Sequence, residues 1–267
     1  MRLKRRVALG GVQMDSLDNR ILIAGVEPGA GKEQISTVPL YGGVGSRVTG
    51  KHRDSLDVTV KFGVWRGSEE AEARAAVLEK VMAWAAGGGW LTLNSKPDRR
   101  LRVILAQAPG EGDLYTIGNQ YTLTFRALGV PYWQAKEPEI VQVKNANSLD
   151  VAFGVAGSVE TVLEASFKNT SGSTVNSFQV ASGGQQLVFA GLGLANNETL
   201  HIDHLDNGER YTFRARIEST AGVYRSVLDK RTGSSDDEIQ MTPGSRRVTA
   251  SAGGVGTIRI SCYARFL

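Results

Sequence analysis

Apolar and polar residues alternate with a period of two through most of this sequence, and that pattern constrains the fold more than any other feature. A period of two sends successive side chains to opposite faces of an extended chain, so each such run predicts a strand with one buried face. In LDVTVKFGVW, Leu56, Val58, Val60, Phe62 and Val64 point one way while Asp57, Thr59 and Lys61 point the other. The pattern recurs in RLRVILAQ through Leu101, Val103 and Leu105, and in YTLTFRAL through Tyr121, Leu123 and Phe125. Later, RYTFRARIES sends Tyr211, Phe213, Ala215 and Ile217 inward, and GTIRISCYARF sends Ile258, Ile260, Cys262, Ala264 and Phe266. Glycine-rich turns separate nearly all of these runs, which is the punctuation of a mainly β chain.

One segment breaks the pattern. In SEEAEARAAVLEKVMAWAAGGG, residues 68–89, Val77, Val81 and Trp84, with Leu78 and Ala85 alongside, recur at helical spacing. Ser68 can cap the N-terminus, Glu69, Glu70 and Glu72 sit where the helix dipole favours anions, and Gly87, Gly88 and Gly89 end the segment. This predicts a single helix lying on a sheet.

A chain with one helix bears directly on GVEPGAGKEQ, residues 25–34, which resembles a phosphate-binding loop. Such a loop needs Gly, four residues, then Gly-Lys-Ser/Thr, and it works where a parallel strand feeds into a helix. Gly31 and Lys32 fit that register, but Val26 stands where the first glycine belongs and Glu33 replaces the magnesium hydroxyl with a carboxylate that would repel phosphate. Pro39 and the paired glycines after it also forbid a continuing helix. The stretch therefore reads as a turn made by Pro28, Gly29 and Gly31 between two strands.

The 267 residues suffice for two domains. Pro131 and Pro138 bracket a polar segment in ALGVPYWQAKEPEIV, and Trp65, Trp84, Trp90 and Trp133 all lie on or before it. The expected organisation is a first domain at 1–133, a linker at 134–138 and a second domain at 139–267. The second is richer in Ser, Thr, Asn and Gly turns, and its regularly spaced strands predict a sandwich. No apolar run approaches the roughly twenty residues of a membrane span, and the apolar stretch after MRLKRR is too short for a signal-peptide core, so the start reads as a leading strand. The net charge of +4 divides as +5 over residues 1–138 and −1 over the remainder. Basic residues are scattered among acidic ones, which argues against sequence-specific nucleic-acid binding. Cys262 is the sole cysteine and reads as a buried small hydrophobe.

The candidate chemical sites are poor. In HIDH, strand geometry puts His201 and Asp203 on one face and His204 on the other with Leu200 and Ile202, too few converging ligands for a metal. Asp236, Asp237 and Glu238 read as an exposed turn rather than a pair of carboxyls held across a cleft. There is no G-x-S-x-G nucleophile elbow, and Asn169 and Asn197, which open NTS and NET, read as polar turns. No catalytic, cofactor or metal residue is expected, so the chain is not read as an enzyme.

Taken in order, these pieces resemble the distal tail protein (Dit) family of long-tailed, non-contractile bacteriophages. In the first half the resemblance is carried by LDVTVKFGVW, the helix EAEARAAVLEKVMAWA, the paired WLTLNS and RLRVILAQ, then YTLTFRAL and the closing PYW. In the second it is carried by NNETLHID and SSDDEIQMTPGSRRVTASAGGVGTIRISCYARF. The resemblance implies two β-sandwich or barrel-like domains: an N-terminal tail-tube-like domain with one α-helix, and a C-terminal galectin-like β-sandwich. It further implies a hexameric ring of this chain at the virion tail tip, assembled in the host cytoplasm. The ring would join the tail tube protein to the tail-associated hub or lysin protein and support receptor-binding proteins. The glycine-rich, basic YGGVGSRVTGKHRD, residues 41–54, matches no named feature of that family and reads as a long flexible segment able to reach a neighbouring subunit. Its Tyr41, Gly45, Arg47, Lys51 and Arg53 are the expected inter-subunit contacts. The alternative reading is a carbohydrate-binding module for attachment to the host surface, with Tyr211, Tyr224 and Tyr263 as stacking faces.

Overall fold

The structure, a computed structural model, describes residues 6–29, 31–39, 46–64, 71–109, 120–207 and 209–267. The chain is mainly β with one α-helix, and it divides into two units: Met1–Trp133 together with Asp206–Tyr211, and Gln134–Leu205 together with Thr212–Leu267.

The first unit holds β1 (Val7–Leu9), β2 (Val12–Gln13), β3 (Ile21–Pro28), β4 (Lys32–Pro39), β5 (Ser46–Val64), α1 (Ala71–Ala86), β6 (Gly89–Leu93), β7 (Lys96–Gln107) and β8 (Gln120–Ala127). The hydrogen-bonded order is β2-β1-β6-β7-β8-β5-β3, antiparallel throughout. The alternation read from the sequence sets which face is covered: Leu56, Val58, Val60, Phe62 and Val64 of β5 are buried, as are Leu101 and Val103 of β7 and Tyr121, Leu123 and Phe125 of β8. Onto this face α1 lays Val77, Leu78, Val81 and Ala85. Trp84 meets Phe125 edge-on at 5.9 Å, and its indole N–H donates to the carbonyl of Val12 at 3.1 Å. Gly88 adopts φ 58°, which favours glycine, and its N–H closes the helix on the carbonyl of Ala85. Ser68, expected to cap the helix, and Glu69 and Glu70, expected where its dipole favours anions, lie outside the described residues. Asp18 ties α1 to the strands, accepting from Arg20 at 2.8 and 2.9 Å and from Lys80 of α1 at 3.0 Å.

In the second unit, β9 (Trp133–Ala135) begins in the first unit and takes in Gln134 and Ala135, the first two residues of the segment read as linker. It is followed by β10 (Glu139–Val155), β11 (Thr161–Val162), β12 (Glu164–Asn169), β13 (Val175–Ser182), β14 (Gln185–Leu194), β15 (Thr199–Asp206), β16 (Tyr211–Glu218), β17 (Tyr224–Ser226), β18 (Gln240–Met241), β19 (Gly244–Cys262) and β20 (Arg265–Phe266). The strand order is β14-β13-β19-β12-β15-β16-β17, with β10 also against β19. β19 turns this sheet back on itself: its residues 248–252 pair with β13, and its residues 256–261 pair with β12. Phe178 of β13 stacks on Phe167 of β12 at 5.8 Å, so the two wings face each other across one core. The corner requires Gly256, where a Cβ would run into both the carbonyl of Lys168 and the ring of Phe167.

Candidate assembly arm

β5 has two parts with different partners. Residues 56–64 are inside the sheet between β3 and β8, whereas residues 46–55 pair with β4, which has β5 as its one strand partner among the described residues. β4 and the first half of β5 therefore form a two-stranded arm that leaves the sheet. Its register runs from Lys32 opposite Ser55 to Pro39 opposite Ser46, with shifts between Lys32 and Glu33 and between Ser36 and Thr37.

The arm departs at the glycines of GVEPGAGKEQ. Both β3 and β4 run antiparallel to β5 along the same side, so this stretch is a bend along one edge and not the chain reversal expected of a turn. The N–H of Gly29 donates to the carbonyl of Asp57 at 2.7 Å, and a Cβ on Gly29 would sit 3.0 Å from that oxygen. A glycine amide committed to strand pairing is not offered to a phosphate. Ile35 and Val38 of β4 are 58% and 52% exposed, an unusual load of apolar surface for an isolated pair of strands.

Of the expected contact residues, Tyr41 and Gly45 lie outside the described residues. Arg47 stands opposite Val38 and Lys51 opposite Ile35 in the ladder. Arg53 stands opposite Glu33, lies against Gly31, and holds its guanidinium over the ring of Tyr132, 5.1 Å from the centroid. The reading of residues 41–54 as a long flexible segment is corrected over residues 46–54, which are strand. β4 itself carries no clean signal in sequence, because the register shift at Ser36 and Thr37 places Ile35 and Val38 three apart and breaks the period of two.

The remaining candidates resolve into packing. His201 contacts Glu218 at 2.8 Å, and Asp203 accepts from Arg214 at 2.9 Å and Arg216 at 3.0 Å, so the outward face of HIDH is laced with ion pairs. His204 points inward, its side chain 1% exposed. Among the described residues no three metal-capable side chains converge. Asn169 is buried, its amide donating to the carbonyls of Ser173 and Leu194 at 2.7 and 2.9 Å. It is thus more than the polar turn expected from NTS: it locks a loop. Cys262 is buried, and loss of water around it, with the charges of Glu139 and Glu164, pushes its thiol up to about 12.

The structure is similar to that of the Dit protein of phage SPP1, described as a paradigm of the hub adsorption apparatus in phages infecting Gram-positive bacteria, with a TM-score of 0.67 at 15% identity over 98% of this chain and 99% of that one. Chains of the phage p2 baseplate in its activated conformation match similarly: with calcium at a TM-score of 0.53 and 7% identity over 98% of each chain, and with strontium at 0.51 and 8% over 97% of each. No protein-family model and no curated protein matches the sequence. At these identities the likeness is one of fold, and the fold is that of the Dit hub.

Proposed function

We propose that the chain is a structural protein of a phage tail tip, six copies of which close a ring joining the tail tube to the tail-associated hub or lysin protein and supporting receptor-binding proteins. The observation that carries this reading is that the likeness to a hub protein runs through both units with almost nothing unmatched in either chain. Residues 1–133 would form the ring and residues 139–267 would face outward as a galectin-like domain, in a virion assembled in the host cytoplasm.

The arm supplies the means of closure. A head-to-tail contact between identical subunits closes into a ring when its rotation permits. The edge of β4 can accept a strand from a neighbour, and Ile35 and Val38 gain burial when it does. No observation favours the lectin alternative. The ring of Tyr224 has the Arg216 guanidinium 4.3 Å from its centroid, and the polar groups beside it are paired with one another.

The test is to replace residues 36–50 with Asn-Gly, a two-residue hairpin turn that can join Ile35 to Lys51, its ladder partner. The shortened chain should keep its circular dichroism and melting behaviour but lose the sixfold mass expected of the parent in light scattering. A shortened chain that assembles at the same concentration as the parent removes the arm from the interface.

A further inference from the structure

Residues 227–241 run from β17 to β18 with only a single 3-10 turn, Leu228–Lys230, as regular structure before β18. Even so, Val227, Ile239 and Met241 are buried in the core of the second unit, so this segment forms part of the core wall. Backbone bonds hold it at intervals: Thr232 to Val188 at 2.9 Å, Asp236 to Gln186 at 2.7 Å, and Leu163 to Ile239 at 2.9 Å. Its three consecutive carboxylates, expected to form an exposed turn, each take a different partner. Asp236 accepts the backbone N–H of Gln186 at 2.6 Å, Asp237 accepts from Arg231 at 3.1 Å, and Glu238 lies 3.5 Å from Nε2 of His204. Glu238 also accepts from the side-chain amide of Gln240 at 3.2 Å.

His204 is the one partner of the three that comes from deep in the fold. It shares the inward face of β15 with Leu200 and Ile202, and the ring of Phe213 from β16 meets it edge-on at 5.4 Å. The charged groups around this contact come from every neighbouring element: Glu164 of β12, which accepts the backbone N–H of His204, Asp203 of β15, Arg214 of β16 and Arg265 of β20. Burial pushes the Glu164 carboxyl up, whereas the His204 imidazole 3.5 Å away holds the Glu238 carboxyl below its ordinary range. The two acids therefore act in opposite senses, and only Glu238 belongs to the strap.

We propose that residues 227–241 are an acid-releasable strap over the core of the second unit, latched where Glu238 meets the buried imidazole of His204. A carboxyl held low in the folded state contributes fully above its ordinary value and loses that contribution as pH falls through its folded value. Acid therefore unlatches Glu238, while the β12, β13 and β19 ladders, built from backbone bonds, do not titrate. The opening is local: the strap leaves before the sandwich unfolds.

Hydrogen exchange of the full chain, expressed as protection factors so that the intrinsic pH dependence is removed, tests this at pH 7.5 and pH 2.5, below the lowered range of Glu238. Residues 227–241 should lose up to about tenfold protection at pH 2.5, the effect of one polar contact to a charged group, while β12, β13 and β19 keep theirs. Glu238→Gln and His204→Gln should each reproduce that loss at pH 7.5. Strap protection unchanged at pH 2.5, a loss spread evenly over the sandwich, or a Glu238→Gln chain indistinguishable from the parent would each overturn the proposal. If either variant fails to fold, the pH series on the parent decides.

Discussion

Arg126 grips Asp57 with two parallel hydrogen bonds, 2.7 and 2.8 Å long, directly across the β5–β8 ladder. The same Asp57 receives the amide of Gly29 on its carbonyl, so one residue ties the sheet to the root of the arm. The pair is partly solvated, which screens it. Arg126→Ala should cost about 1 kcal/mol or less in urea unfolding, and it should raise hydrogen exchange at Gly29 more than at the centre of β5.

Asp18→Asn should cost more, about 1–2 kcal/mol, because the carboxylate is nearly buried and holds both Arg20 and Lys80. Those partners, Arg20 foremost, hold the Asp18 carboxyl far below the usual carboxylate range. Its contribution is complete above the ordinary aspartate value and disappears as pH falls below it. Denaturant titrations should therefore show parent and variant separated at pH 7 and converging in strong acid.

Gly256→Ala should destabilise the second unit by about 2 kcal/mol or more, since the added methyl meets the Lys168 carbonyl and the Phe167 ring. The melting transition should fall by several degrees. Gly172→Ala, where a Cβ has open space but φ is 76°, should cost only about 1 kcal/mol of backbone strain.

ATP or GTP with magnesium should leave the melting temperature unchanged, and Lys32→Ala should not alter that null response. Occupancy at a hundred times the dissociation constant would add about 2.7 kcal/mol, a shift no melt would miss. Lys32 opens β4 opposite Ser55, and its neighbourhood is strand.

The sheets and the helix were legible in the sequence because burial of one face imposes a period that needs no knowledge of partners. Leu56 through Val64, Tyr121 through Phe125 and Ile258 through Cys262 show this most directly. The arm was half legible. Its basic residues drew notice, but a register shift concealed β4, and pairing between residues 32–39 and 46–55 is a property of two segments together. The burial of His204 followed from strand parity, whereas its meeting with Glu238 joins residues 34 positions apart through a segment without any period. Asn169 was read as a polar turn because its sequence context is polar; the carbonyls that bury it are contributed by the loop it closes and by Leu194.

The proposed role at the tail tip requires six copies to close into a ring through the first unit. Negative-stain microscopy of the purified chain, paired with a native mass measurement, tests it most directly. The expected result is rings with a central opening and a mass six times that of the 28.7-kDa chain, or a stacked multiple of it. A chain that remains monomeric at micromolar concentration, even when mixed with its tail tube and hub proteins, would contradict it.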